Sequence, residues 1–334
     1  MGTPLFTSGR RRRRRRGRAL IALLALLAVA VAAWVGLRRD RDDARPAPPV
    51  AAAGAARGSL HAPTAPARVG PAPPLSLARR DVVRPRLRQP PRVGLLFDLD
   101  TGRALWRRQP LRRLPVASLT KIMTALVVTQ RTSPGERVRI PRRLRYTGSA
   151  IGMLPRGRRV GLEPLLTGLL LVSGNDAAVA LALHVAGSQR RFVELMNERA
   201  RGLGLRCTRF VSPHGLESGN RSCARDLAVM AMVAMKSRRI ARITRRRYAS
   251  FRFPIKGGRL FLTGHNPLIR TGYRGAIGLK TGYTSEAGPC FVGVARRGGR
   301  TLGVVLLDAP LLNGQARRLL DLGFGEGRRT PALP

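Results

Sequence analysis

The pattern of apolar and polar positions divides the chain into parts of different character. Residues 19–37 are 19 consecutive uncharged, mostly apolar positions between Arg18 and Arg38. At a rise of about 1.5 Å per residue, a helix of that length just crosses a hydrocarbon layer of about 30 Å. From Asp40 to Pro91 the chain is mainly Pro, Ala and Arg without a clear period. Such a composition buries too little apolar surface to order itself, so an extended spacer is expected. Periodicity returns at Val93. Residues 93–98 and 103–106 read as two strands around the turn Asp100-Thr101-Gly102. Apolar residues then recur at helical spacing over 162–171, 176–185, 192–200 and 224–235, the last preceded by Ser222 as a cap. Strands resume over 276–281, 290–295 and 301–307, and 315–322 forms a short closing helix. The order of strand pair, helices and strand set predicts an α+β domain: an antiparallel sheet with a helical layer inserted in sequence between its edges.

Charge adds a direction to this layout. The formal net charge is +46, of which +16 falls in residues 1–92 and +30 in the remainder, so the predicted domain is itself cationic. A field of that strength attracts polyanions: nucleic acid, anionic lipid or an anionic wall polymer. A compositional drift toward arginine explains the excess equally well. Seven consecutive arginines, 10–16, precede the apolar run, which orients the N-terminus to the cytoplasm and exports the C-terminal remainder of the chain. The run exceeds the usual signal core of about 7–15 residues, which favours an uncleaved anchor over a signal peptide cut near Val31-Ala32-Ala33. The expected layout is therefore a basic cytoplasmic tail (1–18), a single transmembrane helix (19–37), a linker (38–92), a catalytic domain (93–310) and a C-terminal helix and tail (311–334). The expected location is the cell membrane, with the domain on the extracytoplasmic side. There it meets no nucleic acid, and the membrane and anionic wall polymers remain as candidate partners.

Basic residues comprise 59 arginines and only four lysines: Lys121, Lys236, Lys256 and Lys280. A guanidinium cannot release its proton inside a protein, whereas a partly buried amine can. Lys121 lies one helical turn after Ser118, which places a hydroxyl beside a candidate base. Two further motifs carry polar groups at apolar positions. Ser173-Gly174-Asn175 interrupts two apolar helical runs, and Lys280-Thr281-Gly282 lies on a predicted strand. Taken singly, the first two have ordinary explanations, a cap beside a solvated charge and a helix end; a lysine on an apolar strand needs a reason, and the glycine beside it lets another backbone or a ligand approach closely.

Together they are specific. Ser118-x-x-Lys121 is followed by Ser173-x-Asn175 after 55 residues and by Lys280-Thr281-Gly282 after another 107. This order resembles that of the penicillin-recognising serine enzymes. The flanking residues Ala117 to Ala125, Leu170 to Ala178, Ser212-Pro213-His214-Gly215-Leu216 and Gly278 to Thr284 resemble the D-alanyl-D-alanine carboxypeptidases, the low-molecular-weight penicillin-binding proteins, over about 93–310. The resemblance implies a β-lactamase/DD-peptidase-like fold and a serine-type carboxypeptidase acting on peptidoglycan stem peptides that end in D-Ala-D-Ala, with β-lactams as covalent inhibitors. It further implies that Ser118 is the nucleophile, Lys121 its base and Ser173 the proton relay. Asn175, Lys280, Thr281, Gly282 and Tyr283 would bind substrate, with the backbone N–H groups of Ser118 and Tyr283 as the oxyanion hole.

No metal or cofactor is expected, since His61, His184, His214 and His265 lack ligand-like spacing and His214 reads as structural. Among the three cysteines, an exported domain permits a bridge, and Cys207 with Cys223 is the candidate pair, against the alternative of three buried thiols. Two other functions compete. A class A-like β-lactamase shares the motifs, but has Ser-Asp-Asn where this chain has Ser-Gly-Asn and needs an acid such as Glu194, Glu198 or Glu217 on a dedicated loop. A non-catalytic envelope module would have no need of all five motif side chains.

Overall fold

The computed structural model describes residues 74–78, 80–152 and 154–325; the expected tail, anchor and most of the linker lie outside them. In chain order the elements begin with β1 (Val93–Asp98), β2 (Ala104–Arg108) and the short β3 (Leu114–Pro115), then a 3-10 turn, Ala117–Thr120, that leads into α1 (Lys121–Arg131). The hairpin β4 (Arg137–Arg139) and β5 (Arg159–Gly161) precedes α2 (Leu162–Leu171), α3 (Asn175–Ala186) and α4 (Gln189–Gly202). Next come β6 (Arg221–Ser222), α5 (Ala224–Lys236) and α6 (Arg238–Thr244), and then a second hairpin of β7 (Tyr248–Arg252) and β8 (Arg259–Thr263). After α7 (Pro267–Arg270) the chain closes with β9 (Ala276–Thr284), β10 (Gly288–Arg297), β11 (Arg300–Leu307) and α8 (Leu312–Gly323).

Five strands form one antiparallel sheet in the order β2-β1-β11-β10-β9, with Val93 opposite Leu307 and Val292 opposite Lys280. The first two strands of the chain thus join the last three, and the helical layer is the sequence between them. Both faces of the sheet are covered, which is why β1 and β11 read as nearly unbroken apolar runs. Leu95, Phe97, Val305 and Leu307 belong to the core shared with the helical layer; Leu96, Val304, Leu306 and Trp106 pack with Ala316, Leu319 and Leu320 of α8. Within the helical layer, α5 is buried from Leu227 through Ala234, as an all-round apolar helix must be. Helix α1 is buried from Lys121 through Val128.

The ordered unit is larger than expected. Composition predicts order only from Val93, yet Ser76 bridges Arg103, the N–H groups of Val82 and Val83 both donate to the Leu105 carbonyl, and Asp81 pairs with Arg107 at 2.7 Å. The end of the expected linker therefore lies along β2. The expected closing helix over 315–322 is α8, and it covers one face of the sheet. Ser118 lies in the 3-10 turn that precedes α1, rather than in an α-helix.

Cys207 and Cys223 are joined by a disulfide, with a sequence separation of 16, while Cys290 is a buried thiol. Closing a loop of that size removes conformations from the unfolded chain. Reduction is expected to lower the unfolding free energy by about 3 kcal/mol, read as a fall in the urea midpoint with reductant present, and a Cys207→Ser/Cys223→Ser variant should no longer respond to it.

Candidate active site

Strand β9 is an edge of the main sheet, and the 3-10 turn lies against it. Gly282 makes that approach feasible: a Cβ there would meet Ser118 N and Val116 O at 3.1 Å and Leu119 N at 3.2 Å. Lys280, two residues earlier on the same strand face, is buried. The helical layer supplies the opposite wall, where α2 ends and α3 begins. Between them Ser173 adopts φ +64° and Gly174 packs against Ile151, whose Cγ2 would lie 2.3 Å from a Cβ at position 174. A larger residue between Ser173 and Asn175 would force Ile151 to shift.

Lys121 is completely buried, and its Nζ lies 3.0 Å from Ser118 Oγ, 2.7 Å from Asn175 Oδ1 and 2.7 Å from the His214 carbonyl. The last two oxygens can only accept. A neutral amine has two N–H bonds and one lone pair, so with both N–H bonds donated to Asn175 and His214, the lone pair is left for the Ser118 hydroxyl proton. Burial first, and then the charge of Lys280, hold the Lys121 amine well below the ordinary lysine range, against a weaker upward pull from Asp176 and Glu217. Lys280, whose Nζ donates to the Thr281 carbonyl at 2.8 Å, is pushed down to about 7 by burial. The site therefore holds two buried lysines, and burial together with the neighbouring cation favours the neutral form of Lys121.

Each partner of Lys121 is itself fixed. The Asn175 amide donates from Nδ2 to the Thr147 carbonyl at 2.7 Å, and its backbone N–H donates to the Ser149 carbonyl at 2.7 Å. The Ser149 hydroxyl donates to the Ser173 carbonyl at 2.7 Å, and the Ile151 N–H donates to Asp176 at 3.0 Å. Asp176 is buried, and burial pushes its carboxyl up to about 6. On the other side the Thr124 hydroxyl donates to the Pro213 carbonyl at 2.6 Å, beside the Lys121 to His214 bond. Gly215, at φ +88°, presses so closely on the turn that a Cβ would sit 2.0 Å from the Ala117 carbonyl oxygen. Ala117 itself is held at φ +46°, a left-handed conformation that costs an alanine about 1–2 kcal/mol. The residue just before Ser118 is thus strained, as is Ser173.

The structure brings Ser118, Lys121, Asn175 and Gly282 into direct contact and places Lys280 near enough to act on Lys121 electrostatically. Ser173 lines the same junction; its buried hydroxyl has no hydrogen-bond partner among the described residues. Thr281 is half-buried and Tyr283 is 69% exposed at the strand's outer end. Sequence reasoning missed two contributors. One is the segment 147–151, which has no periodicity and acts mainly through its backbone; the other is the His214 carbonyl, for which the ring's identity gives no signal. The signal available was Gly215, since a glycine inside Pro-His-Gly marks a close approach.

A serine and a desolvated lysine at hydrogen-bond distance, opposite an edge strand, define an acyl-transfer enzyme with a Ser-Lys pair. Comparison with known proteins narrows that class. The sequence profile of the D-alanyl-D-alanine carboxypeptidases, peptidase family S11, matches residues 91–311, and the chain belongs to that family. D-alanyl-D-alanine carboxypeptidase DacF of Bacillus subtilis is 33% identical over 268 residues, covering 77% of this chain and 68% of that protein. DacB2 of Mycobacterium tuberculosis is 37% identical over 245 residues, covering 70% and 82%. Among solved structures, the Streptomyces K15 DD-transpeptidase superposes with a TM-score of 0.67 at 30% identity, covering 72% of this chain and all of that one.

Proposed function

We infer that this chain is a serine-type D-Ala-D-Ala carboxypeptidase that removes the terminal D-alanine from peptidoglycan stem peptides. The observation that carries the reading is the Lys121 amine, buried and donating to two pure acceptors while facing Ser118 Oγ at 3.0 Å. As the bond from Ser118 Oγ to the penultimate D-alanine carbonyl forms, the hydroxyl proton passes to Lys121. Collapse of the tetrahedral intermediate breaks the C–N bond, and the departing nitrogen takes a proton through the Ser173 hydroxyl. Water then hydrolyses the acyl-enzyme. Lys280 and Thr281 receive the free terminal carboxylate, and the backbone N–H groups of Ser118 and Tyr283 receive the oxyanion, a contact worth about 3 kcal/mol in related chemistry. β-Lactams acylate the same serine. Residues 19–37 anchor the chain in the membrane with this domain outside; among the described residues no helix is long and apolar enough to cross a membrane.

With a diacylated Lys-D-Ala-D-Ala peptide, the parent chain is expected to release D-alanine and Ser118→Ala to release none. Release by both, or by neither folded protein, would contradict the assignment. The pH profile of kcat/KM should be bell-shaped. Lys121 must be neutral, so activity falls as pH drops through its lowered pKa. Lys280 must be charged to bind a carboxylate, so activity falls as pH rises past about 7, chiefly through KM. A flat profile on the alkaline side would remove Lys280 from carboxylate binding.

A further inference from the structure

The hairpin of β7 and β8 has two unlike faces. Ala249, Leu260 and Leu262 are buried in the core shared with the helical layer, with Phe251 packed against it. On the outward face are Tyr248, Ser250 and Arg252 of β7 and Arg259, Phe261 and Thr263 of β8. Tyr248 is 74% and Phe261 72% exposed, the two highest values among the large apolar side chains of the described residues. Tyr248 pairs with Thr263 and Ser250 with Phe261, so the two aromatic rings are diagonal neighbours on one face.

Cations surround the pair. Arg252 and Arg259 face each other at the turn end of the hairpin, and exposed Arg245, Arg246 and Arg247 lead into its start. The Arg259 guanidinium lies over the Phe261 ring, 6.0 Å from its centre. Among the described residues none of these five arginines forms a salt bridge. The sequence supplies no acid that could neutralise them locally: between Asp226 and Glu286 there is neither Asp nor Glu.

We propose that the outward face of this hairpin docks on an anionic lipid surface, with Tyr248 and Phe261 entering the headgroup region and Arg245, Arg246, Arg247, Arg252 and Arg259 contacting lipid phosphates. Exposed aromatic rings set among cations match a membrane–water interface, where the rings leave water and the guanidinium groups meet phosphate in bidentate geometry. A soluble phosphodiester polymer would account for the arginines and leave both rings exposed. An uncharged apolar partner would account for the rings and leave five cations without a counter-charge to be desolvated. None of these residues is a hydrogen-bond partner of Ser118 or Lys121, and the proposal does not rest on the reaction assigned to them.

The test uses the full chain in lipid vesicles with an environment-sensitive fluorophore at Ser250→Cys, on the docking face. Selective labelling is feasible because Cys207 and Cys223 are bridged and Cys290 is buried. Quenching by lipids carrying shallow nitroxides is expected in phosphatidylglycerol-containing vesicles and not in pure phosphatidylcholine. It should be lost in both Tyr248→Ser/Phe261→Ser and Arg252→Gln/Arg259→Gln, with D-alanine release in detergent unchanged. No quenching in anionic vesicles, equal quenching in neutral ones, or quenching that survives the aromatic substitutions would overturn the proposal.

Discussion

Everything at this site depends on keeping one amine out of water. An ordinary lysine on a helix is a solvated cation, useless as a base near neutrality. Here Lys121 begins a helix whose next seven residues are also buried, and it lies close to a second buried lysine. Desolvation alone would leave its N–H groups unsatisfied, at substantial cost. The fold supplies two acceptors, Asn175 Oδ1 and the His214 carbonyl, which satisfy the neutral amine and orient its lone pair toward Ser118. Burial sets the proton affinity and the acceptors set the direction.

The surrounding glycines reflect the same need for close approach. Gly282 lets β9 touch the turn that carries Ser118, Gly215 lets the His214 loop do so from another side, and Gly174 lets Ile151 and its loop clasp the start of α3. The last of these also separates this chain from a class A-like β-lactamase. An aspartate at position 174 would collide with Ile151, so the Ser-Gly-Asn spelling is a packing requirement of the loop that holds Asn175. The acids considered for a deacylating water all have partners. Glu194 and Glu198 pair with Arg191 on α4, and Glu217 turns its carboxylate toward Asn220 and His214.

Much of this was legible in the sequence because the signals were long or covalently fixed. The two strands before Ser118, the apolar helices and the three C-terminal strands each carried enough apolar residues for their period to show. The three motifs were readable because a buried lysine and a glycine at a contact are unusual choices on an apolar element. What escaped was short, cationic or backbone-borne. The alternation of Ala249, Phe251, Leu260 and Leu262 was present, but it is only two residues long on each strand, and Arg252, Arg259 and two glycines at the turn obscured it. Residues 80–92 look like linker by composition, yet a few backbone bonds and two ion pairs, Asp81 with Arg107 and Arg92 with Asp308, hold them in place, interactions that composition does not report. The His214 carbonyl could not have been inferred from any side chain.

The central claim is that the neutral Lys121 amine makes Ser118 nucleophilic. The most direct measurement is the rate of covalent acylation by a penicillin, with the modified residue located by peptide mapping, in the parent and in Lys121→Met. An adduct on Ser118 is predicted in the parent and, in a folded Lys121→Met protein, acylation slower by about 100-fold or more, the range a positioned general base supplies. An adduct on another residue, or acylation of Lys121→Met at the parent rate, would contradict it.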